Sequence, residues 1–198
     1  MNENVTTKCI IGEARLSYVH IFTPEAAADG GDKKYSVSII IPKSNKDVLK
    51  QIKAAVEAAK QAGLASKFGG KMPATLKNPL RDGDIERPDD EAYADSYFIT
   101  ASSRTKPGVV KRMKVNGENQ LVEVTNEEDV YSGCYGFVSV NFYAFNNAGN
   151  RGIAAGLNNV LKTRDGEYLG GRSSAVADFG NGVVNLDDYE DFGEDFPE

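Results

Sequence analysis

One histidine, two cysteines and no tryptophan occur among 198 residues, and each scarcity removes a class of chemistry. His20 stands alone in a strand-like stretch, so imidazole-based catalysis has no second histidine to draw on and a structural role is expected for it. Cys9 and Cys134 are flanked by strand formers, and no Cys-x-x-Cys pair exists for zinc or dithiol chemistry. Two buried free thiols in a reducing compartment are expected instead. Walker, dinucleotide and Gly-x-Ser-x-Gly fingerprints are also missing. No apolar run approaches the roughly 18 residues that a membrane-spanning helix needs. Met1 to Asn4 carries neither the basic nor the apolar region of a signal peptide, so a cytoplasmic protein without membrane association is expected. No catalytic residue, metal ligand or cofactor is assigned.

Positive charge is in short supply overall, with a formal net of −6, but the deficit is local. Seven of the 29 acidic side chains lie between Asn185 and Glu198, where there is no basic one. The other 184 residues then hold 23 basic and 22 acidic groups, a net of +1. The whole-chain charge thus describes a tail and not a body, and it does not exclude an anionic partner. The organisation expected is one domain over 1–184, with an insertion at about 66–95, and a disordered acidic tail over 185–198.

Apolar residues at 40% supply enough for a folded core. Lys8 to Phe22 alternates as a long strand, with Ile10, Gly12, Ala14, Leu16 and Tyr18 on one face. Lys34 to Ile41 is a second strand that Pro42 ends. Ser44 as N-cap, a stripe of Val48, Leu49, Ile52, Ala55, Val56 and Ala59, and Gly63 at C′ predict a helix over 46–62. Lys50, Lys53 and Lys60 fall on its wet side. Residues 68–93 read as an irregular, acidic excursion. Strands resume at 96–104 and 109–115, and Asn116-Gly117 predicts a tight hairpin returning over 120–125. Long strands follow at 131–146 and 151–163. About six strands with one helix between the early ones predict a mainly β fold, an OB-type antiparallel barrel.

The most informative stretch is YGFVSVNFYAF, from Tyr135 to Phe145. Gly136, Val138, Val140, Phe142 and Ala144 form a small apolar face suited to a barrel interior. Tyr135, Phe137, Tyr143 and Phe145, interleaved with Ser139 and Asn141, form the other. Aromatics so placed make a platform on which unpaired bases stack. The same face could instead pack beneath the helix, beneath the acidic loop or against a second copy, which leaves a homodimer open. No acidic residue occurs from Thr100 to Val115, a stretch holding Arg104, Lys106, Lys111 and Arg112. With Arg151 these are the candidate phosphate contacts. In the tail, Asp187, Asp188, Asp191 and Asp195 alternate with Tyr189, Phe192 and Phe196, a pattern suited to docking on a basic, partly apolar surface. That surface is either a partner protein or the protein's own DNA groove. A rival reading takes Asp82, Asp84, Glu86, Asp89 and Asp90 as the Mg²⁺ site of a nuclease or resolvase. Another takes the aromatic face as an assembly surface of a structural or adaptor protein.

Several segments together carry a resemblance: ARLSYVHIF at Ala14 to Phe22, KKYSVSIIIPK at Lys33 to Lys43, the lysine-rich helix, GLNNVLKTRDGEYLGGR at Gly156 to Arg172, and the acidic aromatic tail. The chain resembles the single-stranded DNA-binding protein family of tailed bacteriophages. The resemblance implies an OB barrel with insertions, binding single strands with little sequence preference and without a cofactor. It also implies work in DNA replication or recombination, with proteins of those processes as partners of the tail. One departure is visible: Pro197 and Glu198 follow Phe196, so the tail does not finish on an aromatic.

Overall fold

A computed structural model describes residues 6–26 and 30–170. The acidic segment 185–198, including Asp187, Asp188, Tyr189, Asp191, Phe192, Asp195 and Phe196, lies outside the described residues, as does Arg172. The elements are β1 (Lys8–Glu25), β2 (Lys34–Pro42), α1 (Lys46–Ser66), β3 (Arg81–Asp82), α2 (Gly83–Glu86), β4 (Ser96–Ser103), β5 (Gly108–Val115), β6 (Glu118–Glu123), β7 (Tyr135–Asn147) and β8 (Asn150–Arg164).

Five strands close a barrel in the order β4-β2-β1-β7-β8, and a parallel β4–β8 pairing completes the ring. That circuit is the Greek-key barrel of the OB fold, with β1, β2, β4, β7 and β8 as its five strands. β1 serves both sides, because its first half pairs with β7 and its second half with β2. The register shifts three times along it, between Ile11 and Ala14, between Ser17 and His20 and between His20 and Glu25. These bulges reset the alternation. Cys9, Ile11, Ala14, Leu16 and Ile21 point into the core, whereas Ile10 is 60% exposed and Tyr18 49%. The single inward face expected from strict period two is therefore wrong at Ile10 and Tyr18. Gly12 sits in the first bulge at φ 150°, where an added Cβ would come within 2.8 Å of the Gly136 carbonyl oxygen. Both cysteines are buried and free, and burial pushes both thiols above their ordinary range.

α1 plugs one end of the barrel against β7 and β1. Its buried stripe is Leu49, Ile52, Ala55, Val56 and Ala59, each large member worth roughly 1.5–3 kcal/mol of burial. Asn45, not Ser44, is the N-cap, its Oδ1 accepting from the Val48 amide at 3.4 Å. The helix also runs four residues past the expected end. Gly63 lies inside it, pressed so closely on the barrel that an added Cβ would sit 2.2 Å from the Ala144 Cβ. Close approach, and not helix termination, is what this glycine serves.

The excursion at 66–95 contains β3, α2 and a 3₁₀ turn at Glu91–Tyr93, laid over the outside of β2 and β4. Tyr93 anchors it: fully buried, it packs with Ile40 and Phe98 and donates its hydroxyl to Ser38 Oγ at 3.0 Å. Beyond the barrel, β5 runs parallel to the second half of β8 and turns back as β6 through Asn116 (φ 52°) and Gly117 (φ 86°), the hairpin the sequence predicts. β7 begins at Tyr135, not at Tyr131. Residues 131–134 form a turn in which the Gly133 amide donates to the Leu16 carbonyl.

Candidate nucleic-acid interface

Because β7 alternates without interruption from Gly136 to Ala144, Val138, Val140 and Phe142 fill the barrel and the odd-numbered side chains face outward. The register makes a continuous outer row around the barrel: Lys8 pairs with Asn141, Asn141 with Gly156, Gly156 with Ser102, and Ser102 with Ser36. Every one of these side chains is small or polar. Beside the row, Tyr143 pairs with Ala154 and is 48% exposed. Its ring lies along Gly156, where an added Cβ would meet Cε1 at 3.6 Å. A flat, solvent-open ring on a floor of glycine and alanine, edged by the amide of Asn141 and the hydroxyl of Ser102, suits a stacked base with its polar edge free.

The four candidate aromatics do not form one platform. Tyr143 and Phe145 stand at one end of β7, and Phe145 is half-buried against Gly152. Tyr135 and Phe137 stand at the other end, six or more residues away, roughly 20 Å along a strand. Phe137 is half-buried beside the Gly12 bulge. One face of Tyr135 is covered by the Arg164 guanidinium, 3.4 Å from the ring centroid. Arg164 is itself held by Glu13 at 3.0 Å, and the hydrogen bonds of Thr163 and Arg164 hold the Glu13 carboxyl below its usual range. Tyr135 thus already has a stacking partner.

The five candidate cations divide in the same way. Arg151 is exposed at the start of β8, paired with Asn146 beside the β7–β8 turn. Arg104 and Lys106 follow β4 at the opposite margin of the face. Arg104 pairs with Asp32 at 2.6 Å, and Lys106 Nζ lies 5.7 Å from the Phe22 ring centroid. The β1–β2 and β7–β8 connections flank the oligonucleotide face of an OB barrel, and these three cations stand at those margins. Lys111 and Arg112 do not. Both belong to the β5–β6 hairpin, where Lys111 is ion-paired with Asp129 and Arg112 is exposed opposite Leu121.

Lys8, Ser102, Gly156 and Lys77 lie on or beside this candidate face, and sequence reasoning did not single them out. The signal for Gly156 and Ala154 was present in the run Ala154-Ala155-Gly156, whose small outward residues make room for a ring. Lys77 carries no such signal. Its main chain joins β8 from the insertion, donating to the Arg151 carbonyl at 3.0 Å and accepting from the Ile153 amide at 3.0 Å.

Four carboxylates of the acidic cluster are engaged by neighbouring groups. Lys43 Nζ lies 2.8 Å from Asp82 Oδ1 and 2.6 Å from Asp84 Oδ2, and Asp84 Oδ1 accepts from the Asp95 amide at 2.8 Å. Lys43 and that amide hold the Asp84 carboxyl below its ordinary range. Arg81 grips Glu86, and Asp90 caps the turn at Ala92. Among the described residues no group of three His, Cys, Asp or Glu side chains could hold a metal ion. Asp82 and Asp84 pin the insertion to the barrel through Lys43, while Glu86 and Asp90 are held within the insertion. None of the described helices is long and apolar enough to cross a membrane.

Residues 7–192 match the family described as the ssDNA-binding protein of Enterobacter phage Enc34. The chain belongs to that family of phage proteins. A relative in Acyrthosiphon pisum secondary endosymbiont phage 1, putative protein p50, is 31% identical over 182 residues, covering 87% of this chain and 92% of the relative. Within the family, the single-stranded DNA-binding protein of bacteriophage Enc34, solved in complex with ssDNA, superposes with a TM-score of 0.70 at 28% identity. That match covers 83% of this chain and 90% of the other. The single-stranded DNA-binding protein gp2.5 of bacteriophage T7 shares the fold, with a TM-score of 0.52 at 15% identity over 92% of this chain and 97% of its own.

Proposed function

We propose that this protein binds single-stranded DNA without sequence preference on the outer face of the barrel. Unpaired bases stack on Tyr143, with Phe145 at its margin. Arg151 and Lys8 on one side and Arg104 and Lys106 on the other meet the phosphates. The observation that carries this reading is the exposed Tyr143 ring on the Gly156 and Ala154 floor, between the two connections that border an OB-fold binding face. Membership in a phage ssDNA-binding family supports it. Stacking tolerates any base, and phosphate contacts carry no sequence information, so coating of transient single strands follows from the chemistry. Replication and recombination are the processes that expose such strands. The protein acts as a binding module and needs no cofactor.

The acidic tail, 185–198, fits the second half of the proposal. Seven carboxylates among four large apolar residues compete for the same cations when DNA is absent and dock on replication or recombination proteins when it is bound. A gel-shift series with single- and double-stranded oligonucleotides of one sequence tests the central reading. Retention of single strands at concentrations that leave duplex free is expected. Equal binding of both, or of neither, overturns it.

A further inference from the structure

A second basic surface lies outside the barrel face. Lys46, Lys50, Lys53, Lys60 and Lys67 are separated by four, three, seven and seven residues, close to whole turns of an α-helix, so they line one flank of α1. Over its 21 residues that flank is about 30 Å long. Lys60 pairs with Glu57 at 3.2 Å, and Gln61 also holds Glu57. Among the described residues, Lys46, Lys50, Lys53 and Lys67 have no carboxylate within ion-pair distance. Their freedom contrasts with Lys43, which has two such partners, and with Lys111, Lys162 and Arg164, which have one each.

Between this flank and residues 72–80 runs a groove of 370 Å³, lined by Lys60 and Lys77, by the Glu57 carboxylate that Lys60 neutralises, and by Val56, Leu76 and Ile153. A smaller hollow of 190 Å³ continues it to Lys53 and Leu80. The groove and the proposed DNA face come together at Gly152. At Gly152 an added Cβ would lie 2.7 Å from the Lys77 Cβ and 3.0 Å from Phe145 Cε1, so the aromatic margin of the face and the lysine at the groove mouth meet over one glycine. The Asn146 side chain donates to the Lys67 carbonyl at 3.0 Å, which ties the end of α1 to the same turn.

We propose that a single strand longer than the barrel face passes Arg151 and Lys77 and continues along α1, its phosphates meeting Lys60, Lys53 and Lys50. The inference rests on the DNA-binding reading above and extends its footprint. A track of lysines continuous with a stacking platform, Lys50 and Lys53 unpaired and Lys60 shared with Glu57, holds a backbone without reading bases.

The test uses the full chain, fluorescent oligo-dT of about 8 and about 30 nucleotides, the shorter within the span of one OB barrel, and the variant Lys50→Gln/Lys53→Gln/Lys60→Gln. All three sites are surface positions, and an unchanged melting curve verifies folding. The variant is expected to bind the short oligomer as the parent does and the long one about tenfold more weakly. Its salt dependence on the long oligomer should fall by about 2 in log–log slope, from three lost phosphate contacts. Unchanged long-oligomer affinity and slope overturn the track, as does equal weakening on both lengths. Tyr143→Ala separates the two readings. If it weakens both lengths while the lysine variant behaves as the parent, the track alone fails; if it changes neither length, the face itself fails. An acidic occupant is the remaining outcome. If the lysine variant loses affinity for an added peptide of residues 185–198 while long-oligomer binding is unchanged, the groove takes the tail and the track is wrong.

Discussion

The ring of Tyr143 lies along Gly156 of the neighbouring strand, close enough that a Cβ on Gly156 would reach ordinary van der Waals contact at 3.6 Å. This pairing makes a testable demand on residue 156. Gly156→Ala should bind DNA nearly as the parent does. Gly156→Val puts branched methyls under the ring, tilts it from the floor and should weaken binding by roughly the worth of one stacked base, about 1–3 kcal/mol. Anisotropy titrations with oligo-dT read both, and parental affinity in the valine variant would show that the ring is not used.

Charge at the two margins should behave asymmetrically. Arg151 has no carboxylate partner among the described residues, whereas Arg104 is held by Asp32. Arg151→Gln is therefore expected to lower the log–log salt slope by about 0.7, the signature of one phosphate contact on a single strand. Asp32→Asn, by releasing Arg104, should tighten binding at low salt. Affinity measured from low to moderate salt checks both, and weaker binding in Asp32→Asn would exclude Arg104 from the interface.

The attachment of the insertion should depend on pH through Asp84. Lys43 holds the Asp84 carboxyl below its ordinary range, so the folded state binds this proton less readily than the unfolded chain does. The resulting stability is fully present above the unfolded carboxylate value, about 3.9, and is lost as pH falls through the lower folded value. Melting curves from pH 6 to 3 should show a steeper loss in the parent than in Asp84→Asn. Parallel curves would mean that this ion pair does not tie down the insertion.

Legibility tracked how local the determining physics is. The two faces of β7 were readable because the irregularity between Ser139 and Val140 takes its extra residue from β8 and leaves the alternation from Gly136 to Ala144 intact, and the Asn116-Gly117 turn because its backbone demands are carried by those two residues. In β1 the same rule failed at Ile10 and Tyr18, since bulges at Gly12 and near Tyr18 shift the phase and arise from pairing with two different strands. The Asp82–Asp84 carboxylates looked free in sequence because Lys43, their partner, lies some forty residues earlier. Tyr135 looked like a platform until Arg164, brought across by β8, was found on its face. Phase, long-range ion pairs and the covering of a ring all depend on tertiary neighbours, which no short stretch of sequence carries.

Removal of residues 185–198 takes away seven carboxylates and no cation. Under the proposed competition, the shortened chain should bind single strands more tightly than the parent at low salt, with the gap closing as salt screens the tail. Titrations of both chains at two salt concentrations measure this. Equal or weaker binding by the shortened chain at low salt would contradict the competition while leaving the face untouched.

The central claim is that single strands lie on the outer face with a base stacked on Tyr143. It is tested most directly by comparing Tyr143→Ala and Tyr143→Phe with the parent in titrations of a short oligo-dT at fixed salt. The expected result is a loss of about 1–3 kcal/mol for the alanine variant and near-parental binding for phenylalanine, with the salt slope unchanged in both. Parental affinity in Tyr143→Ala, with its fold intact, would place the bases elsewhere and contradict the account.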